Sequence, residues 1–254
     1  MKYRCPKCHP TQNAKLQQTE SGMQCSHCHF VYPQIDETLL LLAEHDRWLS
    51  SQGLMMLLRK DLSEESSNFL LHHSKELRFA QKQLYSYLSA SKGTLHQWVN
   101  KHLENQKGII VDLGCGIGLH NRSDIIGVDA NWTLLSRYPG KKIIADISNP
   151  PFFANSIDCI LLLNVIDSYE SPYMLLQQVD ALLRKGGTIL LSSPFTWDDE
   201  VTAPQEQCTP AQVHHFFASR GYTIEEEEHT WFLQNSPRSC TKFNVLTWKL
   251  CSDS

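Results

Sequence analysis

The chain has 254 residues, of which 41% are hydrophobic and 20% are charged, and its formal net charge is −4. This length accommodates one sizeable α/β domain with a small appendage, and the slightly acidic balance excludes a globally basic surface for nucleic-acid binding. The N-terminal sequence MKYRCPKC lacks an apolar signal segment, and apolar runs such as Leu39–Ala43 are too short to span a bilayer. We therefore expect a cytoplasmic protein without membrane attachment.

Four of the nine cysteines lie within the first 28 residues. Cys5 and Cys8 form one C-x-x-C pair, Cys25 and Cys28 form a second, and 16 residues separate the two pairs. Two such pairs supply the four thiolates of a tetrahedral zinc site. Four thiolates close the coordination shell, so we predict a structural zinc ribbon over residues 1–42.

The residues after the second cysteine pair read FVYPQID from Phe30 to Asp36 and are followed by Leu39 and Leu40. This stretch resembles the small zinc-ribbon activator of tRNA, rRNA and release-factor methyltransferases, in which an aromatic-Pro-x-Ile-Asp turn leads into an apolar strand. The resemblance covers about 40 residues. It leaves three roles open for the ribbon, namely RNA contact, protein docking and stabilisation.

Residues 43–107 contain almost no glycine or proline and carry apolar residues at helical spacing. One such pattern runs from Phe69 to Leu88, and a second runs from Leu95 to Leu103. We predict a connector of two or three helices, broken near residues 63–67 and 91–93. Such a connector could cover an active site in the next domain.

An α/β domain is predicted for residues 108–254, because short β-branched runs alternate with helical segments. The first run, Ile109–Leu113, ends on the sequence GCGIG at residues 114–118, called the glycine loop below. Glycines allow a sharp turn and a close approach of the backbone to a ligand. Only six residues separate the loop from the next strand at Ile125. They leave room for at most one helical turn, over residues 119–121.

Four further strands are predicted in the parallel part of the sheet, and their carboxyl ends should meet at a ligand site. Asp129 ends the second strand, where its carboxylate can accept hydrogen bonds from both hydroxyls of a ribose. A helix should begin at Pro172 and end at Gly186-Gly187, before the fifth strand. The predicted second to fifth strands are Ile125–Asp129, Ile143–Ile147, Asp158–Leu163 and Thr188–Ser192. A helix from Pro210 and an antiparallel pair, Tyr222–Leu233 and Phe243–Leu250, complete the domain.

With Asp112 two residues before the first glycine, this pattern resembles the class I S-adenosylmethionine-dependent methyltransferases across residues 109–195. The resemblance implies a Rossmann-like, doubly wound sheet of seven strands, with the zinc ribbon and the helical connector attached. It also implies that the glycine loop faces the amino-acid end of S-adenosylmethionine and that Asp146 faces its adenine. The cofactor-binding residues that it implies are Asp112, Gly114, Gly116, Gly118, Asp129, Asp146, Ile147 and Asn164.

The sequence NPPF at Asn149–Phe152 matches the signature of enzymes that methylate amino groups of adenine or glutamine. That signature follows the fourth strand in those enzymes, whereas here it precedes the fourth strand. We therefore predict an ordinary surface loop.

The sequence NVID at Asn164–Asp167 occupies the position after the fourth strand. It resembles a motif of imidazole methyltransferases, which include protein-histidine and mercaptohistidine enzymes, and the stretch SPFTWDDEVT at residues 193–202 resembles the mercaptohistidine group. The resemblance implies a small-molecule or histidine-containing acceptor with Asn164 and Asp167 as catalytic residues. Asn164 would hold the acceptor, and Asp167 would orient the ring or take up its proton. The alternative is that Asp167 caps the next helix.

Two other functions stay open at the level of sequence. The ribbon carries Lys2, Arg4, Lys7 and Lys15, which could hold RNA for an RNA methyltransferase. The chain could also be a non-catalytic platform that docks on another protein. The sequence does not define the oligomeric state.

Overall fold

The computed structural model describes residues 1–45, 48–49, 63, 93–236 and 239–253. Within these residues the chain forms one mixed sheet of eleven strands together with four α-helices and a short 3₁₀ turn at Ile166–Ser168. The strands are β1 (Leu16–Thr19), β2 (Gly22–Cys25), β3 (Val31–Ile35), β4 (Thr38–Leu40), β5 (Ile110–Leu113), β6 (Ile126–Asp129), β7 (Lys141–Ile144), β8 (Ile157–Leu163), β9 (Leu183–Ser193), β10 (Thr223–Ser236) and β11 (Ser239–Cys251). The helices are α1 (Thr94–Leu103), α2 (Trp132–Leu135), α3 (Pro172–Leu182) and α4 (Pro210–Ala218).

Seven of the strands form the sheet predicted for the C-terminal domain, in the order β7-β6-β5-β8-β9-β11-β10. The first five of these are parallel, and β11 runs antiparallel to both of its neighbours. The strand order reverses between β5 and β8. In open sheets of this kind the crevice for a ligand lies at the carboxyl ends of the strands beside that reversal.

The sheet has eleven strands and not the predicted seven, because four N-terminal strands extend it. Strand β4 pairs in parallel with β7, with Leu39 opposite Ile143 and Leu40 opposite Ile144. The Leu41 N–H also donates to the Ile144 carbonyl at 2.8 Å. An exposed strand edge leaves backbone donors and acceptors unpaired, and β4 satisfies those of β7 while its own side chains become buried. Strands β3, β2 and β1 follow in antiparallel pairs.

The loop at residues 149–152, predicted to lie on the surface, is covered by the N-terminal segment. The Arg4 backbone N–H donates to the Pro151 carbonyl at 3.1 Å, and Arg4 Nε donates to the Pro150 carbonyl at 2.9 Å. The Phe152 ring is fully buried, with its centroid 6.0 Å from that of Tyr3. The prediction was wrong because the covering residues lie far away in the sequence.

Helix α3 ends at Leu182, so the prediction that Gly186-Gly187 ends it was wrong. Strand β9 begins at the next residue, and its register with β8 shifts between the Leu183 and Thr188 pairings. The additional residues of β9 bulge out of the ladder, and Gly186 adopts a φ of +71° there. The two glycines therefore mark a bulge within a strand.

Residues 119–125, all of which the structure describes, form no helix, which agrees with the prediction that at most one turn fits there. Helix α1 packs against this segment instead. His96 Nδ1 lies at hydrogen-bond distance, 2.9 Å, from the Leu119 carbonyl. Arg122 Nη1 donates to the carbonyls of Leu103 and Gln106 at 2.7 and 3.0 Å, and so satisfies carbonyls at the end of α1.

Helix α1 confirms the second of the two helical patterns in the connector. Its apolar positions, including Leu95, Trp98 and Leu103, are buried. The first pattern, from Phe69 to Leu88, lies outside the described residues. Among the residues that are described, no helix combines the length and apolar character needed to cross a bilayer.

Candidate functional site

A cavity of about 420 Å³ lies at the carboxyl ends of the parallel strands. Its volume is typical of a site for a small molecule. The glycine loop, the segment after β6, the segment after β8 and the β10–β11 hairpin all contribute to its lining. The lining includes the carboxylates of Asp129 and Asp167, and among the described residues it includes no lysine, arginine or histidine.

The glycine loop adopts a conformation that favours glycine. Gly114, Gly116 and Gly118 have φ angles of +68°, +53° and +84°. A Cβ atom on Gly114 would lie 2.7 Å from Val165 Cγ2, so the loop packs directly on the chain after β8. A Cβ atom on Gly116 would meet only Leu134 Cδ1, at 3.9 Å. Gly116 therefore leaves open space through which a ligand can approach the backbone.

Asp129 lies at the end of β6, lines the cavity and is hydrogen-bonded to the glycine loop. Its Oδ2 accepts a hydrogen bond from Gly116 N at 2.8 Å, and its Oδ1 accepts one from Asn131 N at 2.7 Å. Each carboxylate oxygen has capacity for a second hydrogen bond. Burial raises the pKa of Asp129, and the two backbone donors oppose this rise. The arrangement fits a ligand with adjacent hydroxyl groups, such as a ribose.

Asp112 lies behind the glycine loop and does not line the cavity. Side chains alternate along a strand, so Asp112 shares the face of β5 on which Ile110 packs with Tyr138. Its Oδ2 lies 3.5 Å from Nε2 of the buried His120, and the same nitrogen lies 2.7 Å from the Tyr138 hydroxyl oxygen. Burial raises the pKa of Asp112, while His120 acts in the opposite direction.

Asp146 and Ile147 follow β7, which ends at Ile144 and therefore earlier than predicted. Asp146 is exposed, and its Oδ1 accepts a hydrogen bond from Ser148 N at 2.8 Å. Ile147 is half-buried and packs on the apolar core. Both residues lie at the carboxyl edge of the sheet, but neither lines the cavity among the described residues.

Asn164 follows β8 directly and has a left-handed backbone with a φ of +55°, a region that asparagine tolerates better than most residues. Its backbone N–H donates to the Ser192 carbonyl at 2.8 Å, and its Oδ1 accepts a hydrogen bond from Ser192 Oγ at 2.9 Å. Its Nδ2 is buried and has no hydrogen-bond partner among the described residues. Asn164 therefore lines the cavity with a fixed amide whose buried Nδ2 donor is unused among the described residues.

Asp167 is 4% exposed and lines the same cavity. Its Oδ2 accepts a hydrogen bond from Thr196 N at 3.1 Å, whereas its Oδ1 has no hydrogen-bond partner among the described residues. Burial raises its pKa, and hydrogen bonding from the Thr196 N–H, from its own backbone N–H and from the Ser193 hydroxyl group opposes this rise. Ser171 is the N-cap of the following helix, α3. The contacts of Asp167 are therefore not those of a helix cap.

The β10–β11 hairpin contributes lining residues that were not predicted from the sequence. They are Trp231 and Leu233 from β10 and Phe243 from β11, called the aromatic wall below. Trp231 and Phe243 are directly opposite each other, with ring centroids 5.3 Å apart. Trp231, Phe232 and Leu233 are consecutive apolar residues, so the sequence of β10 gives no alternation that could have indicated which of them faces the cavity.

The four cysteines of the N-terminal segment converge on one point, with every pair of sulfur atoms within 4.8 Å. Cys5 Sγ lies 3.8 Å from Cys28 Sγ, and Cys8 Sγ lies 3.8 Å from Cys25 Sγ. Zn–S bonds of about 2.3 Å at tetrahedral angles place two sulfur atoms about 3.8 Å apart. The geometry therefore fits a tetrahedral zinc ion.

Hydrogen bonds to the sulfur atoms support the same interpretation. The Tyr32 hydroxyl lies 3.0 Å from Cys5 Sγ, and the N–H groups of His27 and Cys28 donate to Cys25 Sγ at 3.3 and 3.4 Å. Although burial opposes the change, these backbone donors and the neighbouring Cys5 and Cys28 thiols lower the pKa of Cys25, whereas burial raises the pKa of Cys5 and of Cys8. Donors of this kind stabilise the thiolate form that binds metal.

A family model described as a methyltransferase domain matches residues 81–237, which is more than half of the chain. No curated protein matches at a significant level. Among solved structures, a possible histamine N-methyltransferase from Thermotoga maritima is 16% identical and covers 63% of this chain and 89% of its own, with a TM-score of 0.43. A chain of the Haloferax volcanii complex that contains the Trm112 methyltransferase activator is 14% identical. It covers 63% of this chain and 92% of its own, with a TM-score of 0.43. Phosphoethanolamine N-methyltransferase 2 of Haemonchus contortus is 13% identical. It covers 63% of this chain and 53% of its own, with a TM-score of 0.46.

Proposed function

Because the chain belongs to the methyltransferase-domain family and is an S-adenosylmethionine-dependent methyltransferase, we propose that it N-methylates an imidazole-type acceptor, carried by a small molecule or a peptide. The observation that carries this proposal is a pair of buried polar atoms, Asp167 Oδ1 and Asn164 Nδ2, which have no hydrogen-bond partner among the described residues and belong to two residues that line the cavity. Buried polar atoms in proteins almost always have a partner. The pair therefore fits an acceptor that brings both a hydrogen-bond donor and a hydrogen-bond acceptor.

A neutral imidazole has one N–H donor and one nitrogen lone pair. If the N–H donates to Asp167 Oδ1, the other ring nitrogen keeps its lone pair free for attack. In an acceptor that carries a further hydrogen-bond-accepting atom, such as the carboxylate oxygen of histidine, Asn164 Nδ2 would donate to that atom and hold the acceptor in place. Within the described part of the chain, the cavity lining adds no lysine or arginine that would match a phosphate group, which favours a neutral or cationic acceptor.

The glycine loop and Asp129 are the residues that would hold S-adenosylmethionine. The open space at Gly116 would admit its amino-acid end, and Asp129 would accept hydrogen bonds from its ribose hydroxyls. Asp146 and Ile147, at the end of the neighbouring strand, are proposed to face its adenine. When bound, the cofactor supplies a methyl group on a sulfonium, whose bonding electron pair stays on sulfur as the methyl passes to nitrogen.

Asp167 has two connected roles in this proposal. It orients the ring by accepting its N–H, and it stabilises the positive charge that the ring gains when the N–CH₃ bond forms. The ring N–H proton can then move to Asp167 Oδ1, for which the raised pKa of this carboxyl group is favourable. Positioning of the ring against the methyl group supplies most of the catalysis in such a displacement.

We also propose that Cys5, Cys8, Cys25 and Cys28 hold a structural zinc ion. Four thiolates leave no open coordination position, so the metal takes no part in methyl transfer. Its role is to fold a segment whose small size gives it little core of its own.

An RNA acceptor is the second candidate, but the structure leaves fewer exposed basic residues on the ribbon than the sequence suggests. Of the four basic residues of the ribbon, Lys2, Lys7 and Lys15 are exposed. Arg4, however, is buried and is used in contacts with the loop at residues 149–152. A gel-shift titration with tRNA and rRNA fragments would support this candidate by showing tight binding that Lys7→Ala and Lys15→Ala weaken.

The proposed role of Asp167 is tested with Asp167→Asn, which keeps the shape of the side chain. We expect kcat for an imidazole acceptor to fall by about 10²–10⁴-fold, while the affinity for S-adenosylhomocysteine in calorimetry stays unchanged. Asp199→Asn, which alters an exposed carboxylate outside the cavity, is the matched control and should behave like the wild type. Loss of cofactor affinity together with turnover in Asp167→Asn would refute the assigned role.

A further inference from the structure

The half of the β10–β11 hairpin that does not pair with β9, called the free half below, lies at the mouth of the cavity. Strand β11 pairs with β9 only from Leu246 to Cys251, so residues 239–245 and their partners in β10 continue beyond the end of β9. Because β11 runs antiparallel to β9, this free half extends past the carboxyl edge of the parallel strands. That edge is where the cavity opens.

The side chains of this free half are arranged as an apolar face. Trp231 and Phe243 form a cross-strand pair whose ring planes are inclined by 32°. Leu233 lies two residues along β10 and therefore on the same face. All three are half-buried and line the cavity that also contains Asp167 and Asn164.

Helix α1 fixes the hairpin next to this face. Thr230 N donates to Thr94 Oγ1 at 2.9 Å, and Thr94 N donates to Thr230 Oγ1 at 3.2 Å. The approach is so close that a Cβ atom on Gly93 would lie 2.0 Å from the Thr230 carbonyl oxygen. The aromatic wall is thus held in place independently of a ligand, which reduces the entropic cost of binding.

We infer that the aromatic wall is the subsite for the ring of the methyl acceptor, and that it selects a planar, nitrogen-containing aromatic ring over an aliphatic amine. This inference rests on the proposed function. An aromatic face binds a planar ring by stacking and attracts a cation through its π electrons. Methylation makes the ring positive, so the wall and the Asp167 carboxylate would both stabilise the charge that develops during transfer.

The selectivity follows from the shape and charge of the cavity. Trp231 and Asp167 line the same cavity, so under this inference a ring would stack on Trp231 and donate its N–H to Asp167, whereas a small aliphatic amine offers no face to the wall. A phosphorylated acceptor would place its negative charge in a cavity lined by two carboxylates and by no basic residue of the described chain.

The test compares Trp231→Ala and Trp231→Phe with Phe232→Ala. Phe232 belongs to the same hairpin but, as the residue between Trp231 and Leu233, it lies on the opposite face and does not line the cavity. The probes are histamine, L-histidine and imidazole, with ethanolamine and putrescine as aliphatic amines. Binding is measured by calorimetry on protein saturated with S-adenosylhomocysteine, and turnover is measured separately with S-adenosylmethionine.

We expect Trp231→Ala to weaken binding of the ring probes by about tenfold or more and to raise their KM. Trp231→Phe should restore most of the affinity, and Phe232→Ala should match the wild type. The affinity for S-adenosylhomocysteine should stay within about twofold of the wild type in all three variants, because the wall belongs to the β10–β11 hairpin and not to the glycine loop or Asp129, which are proposed to hold the cofactor.

The outcomes separate this inference from the proposed function. Ring probes that bind to the wall without being methylated would support the subsite and refute imidazole methylation. Ring probes that are methylated equally well by the wild type and by Trp231→Ala would refute the subsite and leave the proposed function intact. If the ring probes neither bind nor are methylated, or if aliphatic amines bind as well as rings, the subsite is refuted.

Discussion

Replacing Gly114 with alanine probes how closely the glycine loop packs on the chain after β8. The new Cβ would lie 2.7 Å from Val165 Cγ2 and 3.0 Å from Val165 Cγ1, and the backbone at Gly114 has a φ of +68°. A left-handed backbone costs an alanine about 1–2 kcal/mol, and overpacking of this kind costs about 1–3 kcal/mol. We therefore expect Gly114→Ala to lower the free energy of unfolding by about 2–5 kcal/mol.

Gly116→Ala is the matched control, because its φ of +53° carries the same backbone cost without the clash. It should lower the free energy of unfolding by only about 1–2 kcal/mol. The new Cβ at residue 116 enters the open space of the cavity. Gly116→Ala should therefore weaken S-adenosylhomocysteine binding by more than its small loss of folding free energy would explain.

Urea unfolding of a double-mutant cycle separates the two costs. Val165→Ala removes the two methyl groups that the new Cβ would meet, so in the Gly114→Ala background it should recover the overpacking cost of about 1–3 kcal/mol. If Gly114→Ala is no less stable than Gly116→Ala, or if Val165→Ala gives no recovery, the close packing of the loop on Val165 is refuted.

Two further predictions concern the zinc ribbon and the buried carboxyl group behind the loop. If the four cysteines hold zinc as proposed, Cys28→Ser should lose stoichiometric zinc, measured by elemental analysis, and should lower the thermal unfolding midpoint, because the metal would fold the segment that extends the sheet. Asp129→Ala should keep its zinc, and retention of one zinc per chain in Cys28→Ser would contradict the proposal. Burial raises the pKa of Asp112, so the folded state holds this proton more tightly than the unfolded state, and stability should fall as pH rises from about 4 through the folded-state pKa. Asp112→Asn should reduce that fall in urea unfolding between about pH 4 and pH 7, and an unchanged pH dependence would count against the assignment.

Much of the C-terminal domain could be predicted from local sequence. Buried parallel strands are short β-branched runs, and the glycine loop, Asp129 and Asn164 each follow or end such a run. The ends of parallel strands meet at one edge of the sheet, so the sequence alone was enough to place these residues at a common site. The cysteine pairs were equally informative about position, because the structure brings their four sulfur atoms within 4.8 Å of one another.

The features that were missed depend on contacts between distant segments. Nothing local in β4 or β7 specifies that one pairs with the other, so the sheet was predicted with seven strands. The loop at residues 149–152 is buried by the ribbon for the same reason. The alternation of side chains along β5 could have indicated the direction of the Asp112 side chain. The sequence prediction followed the family resemblance instead, which implies that Asp112 binds the cofactor.

The aromatic wall was missed because Trp231 and Phe243 lie on separate strands and carry no charge or glycine signature. Only the register of the hairpin places them opposite each other. Their position at the cavity follows from the continuation of β11 beyond the end of β9.

The most direct test of the proposed function is to follow the methyl group itself. The zinc-loaded protein would be incubated with methyl-labelled S-adenosylmethionine and fractionated cell extract, and the label would be traced into small-molecule, protein and RNA fractions, with Asp129→Ala as the control. We predict label on an imidazole nitrogen in the small-molecule or protein fraction, and its loss in the control. Label that enters RNA, or that appears on an aliphatic amine, would contradict the account.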